Sequence, residues 1–491
     1  MALIKAQFEA GIDKQTTTYG AKGRWIDSKN VRFRTGLPEK IGGWSKVVTP
    51  ETRLCGVVRA TTAWVSLTGV RHLALGTDRK LYVYVEGRFY DITPIRLEAA
   101  LTNPFTTNGT TTVTVTHSSH GAAQGDFVTF DSFSAIDGLD MNNEFEVTEV
   151  IDGNSYKITH TSAASGSTSG GGGSGNAKYQ ITTGTNKASF GFGWGTGAWS
   201  DGTWNTPRTT SSIQLEASYW VFDTFGEDLL AIRNDDALYR WDLSGGTGTR
   251  AVKVSAAPGT NRFLLVSSPD RHVFLMGTET TIGSSGTQDD LFLRFSSQED
   301  FNTWAPASTN TAGSFRIQDG SKIVAAQRSR GSILVWTDTA LHALNNIGPP
   351  FIFGLNQIGA NCGAVSASAV IDVNGVTFWM SQTAFYIFDG AIKKLPCTVQ
   401  DFVFDDINST AYGQITVGVN VDFNEVTWFY PSSGSDFLDR SVTYNYLENV
   451  WYTNDGFVRT SWVDRGVYAL PYATEYTSTA LPNNETILGV T

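Results

Sequence analysis

His117 and His120 stand in a His-x-x-His spacing inside TVTVTHSSHGAAQG. Two imidazoles so spaced can share a metal ion. The alternating Thr and Val before them, however, read as a strand running into a glycine turn, and no third ligand cluster is near. Two glycine runs come next. GFGWGTG begins at Gly191, and GSGNAKY carries a lysine behind its glycines. A dinucleotide loop needs G-x-G-x-x-G opening a helix, and a phosphate loop ends in Gly-Lys-Ser/Thr. Neither pattern is met, so both runs read as turn or linker. Asp405 and Asp406 are adjacent carboxyls of the type that cleave glycosides in pairs, yet neighbouring acids ordinarily mark a solvated turn. No G-x-S-x-G elbow points to a nucleophilic serine. Cys55, Cys362 and Cys397 are too scattered for a disulfide framework or a metal site, which suits a reducing cytoplasm. The expectation is a protein that is not an enzyme and uses no cofactor or metal.

The elements that would position any such residue repeat. LALGTDRKLYVYVEGRFYDIT from Leu73, LLAIRNDDALYRWDLSGGT from Leu229, ILVWTDTALHALNNIG from Ile333 and VTFWMSQTAFYIFDGAIKKL from Val376 share one layout. Each has an apolar strand, a polar turn, a Leu-Tyr-like step and a second strand. Taking that step as a marker gives Leu238, Leu291-Phe292, Leu341 and Phe385, at intervals of 44 to 53 residues. Such intervals match a four-stranded propeller blade. Residues 412–456 fit another blade, with Val426, Trp428, Tyr430, Tyr444 and Tyr446 alternating as half-buried strand residues do. The fold class expected is all-β, a β-propeller of about six blades with long loops.

The interval from Leu81 to Leu238 is too long for one period. Alternating strands in TTTVTVTHSSHGAAQGDFVTF and NEFEVTEVIDGNSYKITH place a small inserted β-sandwich or barrel module at 101–162. The run SAASGSTSGGGGSGN reads as a flexible tether over 163–177. Residues 1–50 then form a docking segment and the start of the propeller, 51–100 its first part, and 178–491 the remaining blades and loops. Phe190, Phe192, Trp194, Trp199 and Trp204, spaced by glycines, are expected to pack on neighbouring blades or subunits. One enzyme lead remains. SQEDFNTW, Ser297 to Trp304, matches the Asp-box turn of sialidase-type propellers, S-x-D-x-G-x-T-W, at Ser297, Thr303 and Trp304. Glu299 replaces its aspartate and Phe301 its glycine, and the frame occurs once.

Charge is unevenly spread. The chain carries −11 overall, yet residues 1–50 hold nine Lys/Arg against four acids, while 401–440 hold seven acids and one base. No stretch approaches the roughly 20 apolar residues of a membrane-spanning helix, and the start has no apolar run of a secretory signal.

Six segments in order, RWIDSKNVRFRTGLPEKIGGW, LYVYVEGRFYDITPIR, RFSSQEDFNTWAP, KLPCTVQDFVFDDIN, EVTWFYPSS and YNYLENVWY, resemble the tail nozzle proteins of short-tailed bacteriophages, also called tail tubular or tail hub proteins. The resemblance implies a non-enzymatic homohexameric ring below the portal and head-to-tail adaptor, with tail fibres as neighbours. Double-stranded DNA would pass through it during genome ejection, in a virion assembled in the host cytoplasm. Relatives run on past this C-terminus, so the closing blade is expected to be short. Within that frame Arg24, Trp25, Arg32, Phe33 and Arg34 are expected to dock the adaptor, basic and apolar groups alternating as at an interface with an acidic partner. A competing role for VRFR is a strand that closes the propeller. Asp405, Asp406, Asp422, Glu425 and Asp436 are the candidates for an acidic channel wall that would repel DNA. The alternative function is a receptor-binding or glycan-depolymerising propeller of a phage tail, marked by an exposed acid pair in a cleft. A host lectin-like propeller, needing one pocket per blade, is the third reading.

Overall fold

The structure, a computed structural model, describes residues 8–47, 54–190, 214–268, 270–476 and 485–490. Phe192, Trp194, Trp199 and Trp204 lie outside those residues, as does the side chain of Phe190.

The protein is a β-propeller. Six four-stranded antiparallel sheets form blades 1 to 6, over residues 58–91, 220–253, 263–316, 323–360, 370–394 and 416–455. Each is a simple meander, strand paired to next strand. The first strand of every blade packs beside the first strand of the next. A further sheet fills the place between blades 6 and 1. Its strands Ser461–Val463, Tyr472–Tyr476 and Glu485–Val490 are joined by Ser45–Lys46 and Leu54–Cys55 from near the start of the chain. Ser461–Val463 packs against the first strands of both neighbours, so the circle is closed by sheet at every position. Closure in this way leaves few strand edges open to stray pairing.

The recurring Leu-Tyr step has one structural meaning. Leu81, Leu238, Phe292, Leu341 and Phe385 each stand at or next to the start of the third strand of their blade. The polar turn before it is locked by a threonine where the second strand ends. Thr77 Oγ1 accepts from Lys80 N at 2.7 Å, and Thr337 Oγ1 accepts from Ala340 N at 2.9 Å.

Seams between blades are sealed by buried or half-buried indoles whose N–H reaches a backbone carbonyl next door. Trp220 of blade 2 donates to Thr77 O of blade 1 at 2.8 Å, and Trp428 of blade 6 to Ala369 O at 3.1 Å just before blade 5. Trp462 of the closing sheet donates to Val419 O of blade 6 at 2.7 Å. A buried indole pays its desolvation only if that N–H is satisfied. Two of these rings lie flat on glycine. A Cβ at Gly76 would stand 2.5 Å from the Trp220 ring, and one at Gly418 would stand 2.6 Å from that of Trp462.

The insertion after blade 1 is a single curled sheet of seven strands in the order Ile95–Thr102, Ser174–Gln180, Phe127–Asp131, Glu144–Asp152, Ser155–Thr159, Thr112–Thr116, Phe105–Thr106. A bridge between Phe105 and Gly171 draws its two ends together. Phe105, Phe130, Phe133, Met141, Tyr156 and Tyr179 fill the interior. The Gly/Ser run at 163–177 is therefore part of the module and not a tether. Ser174–Gln180 pairs with both Ile95–Thr102 and Phe127–Asp131. Its glycines are where rings press on backbone: a Cβ at Gly172 would meet Phe105 at 2.5 Å, and one at Gly175 would meet Phe133 at 2.7 Å. The sheet runs from Ile95 to Gln180, wider at both ends than the alternating pattern of the sequence suggests.

Candidate functional site

Three places could carry function: the central passage, the basic N-terminal segment and the acid-rich stretch. The passage is lined by one or more residues from each first strand, among them Thr61, Val221, Phe263, Gln327, Ile371, Thr416 and Ser461, around about 230 Å³ of space. That volume holds a few water molecules. A DNA duplex, whose major groove alone is about 12 Å wide, cannot enter it. At one end Arg59 is buried and donates to the carbonyls of Ser218, at 2.9 Å, and Asn186. Burial lowers its pKa against the pull of Asp78. Close by, Arg262 is ringed by Asp235 at 3.0 Å, Glu216 at 3.5 Å and Asp290 at 3.6 Å, while Lys322 pairs with Glu216. These charges answer one another and leave none free for a ligand.

The N-terminal segment lies on blade 6. Val31–Arg34 pairs with Leu37–Lys40 as a hairpin, and Glu9–Ile12 pairs in parallel with Arg24–Trp25. Both pack on the last strand of that blade, Val450–Asp455. Arg32 and Phe33 are buried there, which removes them as docking residues. The Arg32 guanidinium lies over the Phe423 ring at 3.5 Å. Its Nε stands 3.0 Å from Glu425 Oε1, and Nη2 donates to Oε2 at 3.3 Å. Both side chains are under 10% exposed. Phe33, 1% exposed, packs on Tyr452 and Trp25. An arginine can be buried only where a carboxylate and a π face replace its water, and Glu425 and Phe423 supply them. VRFR is thus a structural strand, as the competing reading had it, but it covers blade 6 and does not close the ring. Arg24, half-exposed, binds Asp13 at 2.8 Å and Glu9 at 3.0 Å; Arg34 is largely exposed.

The acid-rich stretch is not one wall. Glu425 is buried against Arg32 and lines no channel. Its carboxyl is pushed up by burial in spite of the guanidinium beside it. Asp422 sits on the turn after the first strand of blade 6 and pairs with Arg465 at 2.5 Å. Asp436 sits on the turn after the second strand, at the opposite end of the blade, and pairs with Lys187 at 2.9 Å. Asp406 pairs with Arg440 at 2.6 Å. Asp405 follows the short helix Gln400–Phe404, is exposed and makes no ion pair among the described residues. None of the five borders the central passage.

His117 and His120 have other partners than a metal. His117 Nδ1 shares a hydrogen bond with Tyr179 Oη at 2.8 Å, and His120 bridges Asp152 O and Ala122 N, both at 2.9 Å. Among the described residues no three His, Cys, Asp or Glu converge on a metal position. None of the helices there is long and apolar enough to cross a membrane.

The sequence reading missed a charge cluster where the module meets blades 1 and 2. Lys80, at the top turn of blade 1, binds Asp91 at 3.0 Å and also Glu144 of the module. Arg250 of blade 2 reaches Asp91 at 3.0 Å and Glu144 at 3.9 Å, and Arg79 reaches Glu146 at 2.7 Å. Burial pushes the Asp91 carboxyl up, but Lys80 and Arg250 outweigh it and hold the group below its ordinary value. Residues so far apart in the chain leave no spacing signal.

No family description matches the chain, and neither does any curated protein. Solved structures do. One is a phage phi92 endosialidase, 11% identical, with 80% of this chain and 55% of that one covered and a TM-score of 0.22. Another is the computationally designed Ika8 protein, 8% identical, with 91% and 99% covered and a TM-score of 0.39. The chain spans about half the length of the endosialidase.

Proposed function

We propose that this chain is the structural subunit of a phage tail nozzle, a non-enzymatic ring of six copies below the portal and adaptor. One observation carries the reading. Of the six segments that resemble nozzle proteins, four meet at the N-terminal clasp on blade 6. Arg32 and Phe33 come from the first, Glu425 from the fifth and Tyr452 from the sixth. The fourth joins through Pro396 O, which accepts from Trp451 Nε1 at 2.8 Å, and Thr398, whose hydroxyl donates to Ile12 O at 2.5 Å. Segments that resemble one family and also build one contact support a shared architecture, since their residue types are then required together.

The narrow central passage fits the same reading. If the genome passes this protein, it does so through a bore between copies, with each propeller as a stave. Arg24, Trp25 and Arg34 remain the candidates for touching an adaptor, and Asp405, Asp406, Asp422 and Asp436 for facing DNA or solvent. Negative-stain images of the purified protein, or of particles containing it, should show a six-fold ring with an open centre. A protein that stays monomeric in solution and is absent from the tails of particles would overturn the proposal.

A further inference from the structure

The stretch Ser297–Trp304 folds as a self-locked turn in blade 3. Asp300 accepts from Asn302 N at 2.7 Å and from Thr303 Oγ1 at 2.6 Å. Ser297 N donates to Thr303 O, and Trp304 Nε1 to Phe301 O, both at 2.8 Å. Asp300 thus does the work of the frame's aspartate from one position later. The frame's glycine position is taken by Phe301, a partly buried ring that packs on the core between blades 2 and 3 and whose remaining exposed part lines a cleft.

Phe301 forms one wall of a cleft of about 570 Å³ against the outer loop of blade 2. Cavities of this size commonly hold a ligand of a few rings. The ring is braced from behind, edge-on to Phe225 with centroids 5.3 Å apart. Arg240, 5.2 Å from its centroid, is fixed by Asp228 at 2.7 Å and Asp242 at 3.0 Å. Ser244, Thr249 and Asn302 add two hydroxyls and an amide to the lining. Lys253 is exposed on the same cleft and makes no ion pair among the described residues. Arg250 also lines the cleft but is engaged by Asp91, as Arg240 is by Asp228 and Asp242, so of the three cations there Lys253 alone lacks an ion pair among the described residues.

We propose that this cleft binds an acidic saccharide. The C–H face of a pyranose packs on a phenyl wall as apolar surface. Its hydroxyls find donors and acceptors in the hydroxyl, amide and guanidinium–carboxylate groups, and its carboxylate or phosphate pairs with Lys253. A neutral sugar leaves Lys253 unanswered, and a bare anion makes no use of the phenyl wall. Single-stranded nucleic acid also uses aromatic and cationic groups, but it tracks along a basic groove, and the surrounding chain is acidic. The proposal does not depend on the nozzle reading.

The test is calorimetric titration of the full chain with four probes: a glucuronate-containing tetrasaccharide, a neutral tetrasaccharide, inorganic phosphate and a short oligothymidylate. The acidic sugar should bind about tenfold more tightly than the neutral one, and Lys253→Glu should erase that margin. Phe301→Leu keeps an apolar side chain against Phe225 and should weaken both sugars when titrated well below that variant's own thermal midpoint. Equal affinity for the two sugars, a margin that survives Lys253→Glu, or no binding at all would overturn the proposal. So would phosphate or oligothymidylate binding as tightly as the acidic sugar.

Discussion

Two bodies are attached to the ring, and they are attached by different physics. The N-terminal segment is held on blade 6 by burial: Trp25 packs on Phe33 and Phe33 on Tyr452, with one buried ion pair, Arg32–Glu425, beside them. The module is held on blades 1 and 2 by Lys80, Arg79 and Arg250 reaching Asp91, Glu144 and Glu146, whose carboxylates keep between a fifth and a half of their exposure. The first contact behaves as core. The second is buried on its cation side, where Lys80 and Arg79 lie over Phe127, and meets water on its carboxylate side, so it is the more open of the two.

The sharpest way to break the comparison is to remove half of the buried pair. Glu425→Ala leaves the Arg32 guanidinium buried without a counter-charge and should cost about 3–5 kcal/mol. Denaturant melts would read this directly. The double change Arg32→Met, Glu425→Leu should recover most of it, because apolar side chains of similar size remove the desolvation penalty with the charges. A single variant as stable as the parent would mean that the buried pair contributes nothing to folding.

A smaller effect is expected at the module. Lys80→Met removes charge-assisted bonds to Asp91 and Glu144 and should cost about 1–2 kcal/mol, part of it returned as water reaches the carboxylates. Amide exchange should rise in the strand Glu144–Asp152 while the blades stay protected. Uniform loss of protection would place Lys80 in the global fold instead.

The smallest effect is in the response to acid, and it has opposite signs at the two places. Asp91 has a lowered pKa in the folded protein. Its contribution is present above the ordinary aspartate value and is lost as pH falls through the lowered one. Glu425 has a raised pKa. Its contribution is complete below the ordinary glutamate value and is lost as pH rises through the raised one. On acidification, then, the module contact should loosen while the clasp holds. Exchange protection followed from neutral pH downward at both places would show whether the signs differ.

Much of the ring was legible because blade strands obey local rules. A polar turn and a Leu-Tyr step announce a third strand without reference to the rest of the chain. The closing sheet was not legible, since residues 45–55 and 485–490 carry no mark of each other. The Gly/Ser run was misread for a physical reason. Glycine has no side chain to bury, but at Gly172 and Gly175 the rings of Phe105 and Phe133 bury themselves on it. Arg32 and Glu425 depart from their expected roles together: in sequence they read as two surface charges in separate segments, and in the structure they are one buried pair. A signal was present. Glu425 opens EVTWFY, where a lone acid in an otherwise buried strand asks for a cation from elsewhere.

The closing sheet also sets an order of events during synthesis. Lys46 finds its partner only at Gly489, and Leu54 only at Thr486. A ribosome that has made six blades still holds an open arc, with the early strands unpaired and the seam of blade 1 facing solvent. Bringing distant ends together costs only a logarithm of the intervening length once the arc is formed, so the wait, more than the energy, is the hazard. Over that interval the unpaired strands are available to other nascent copies.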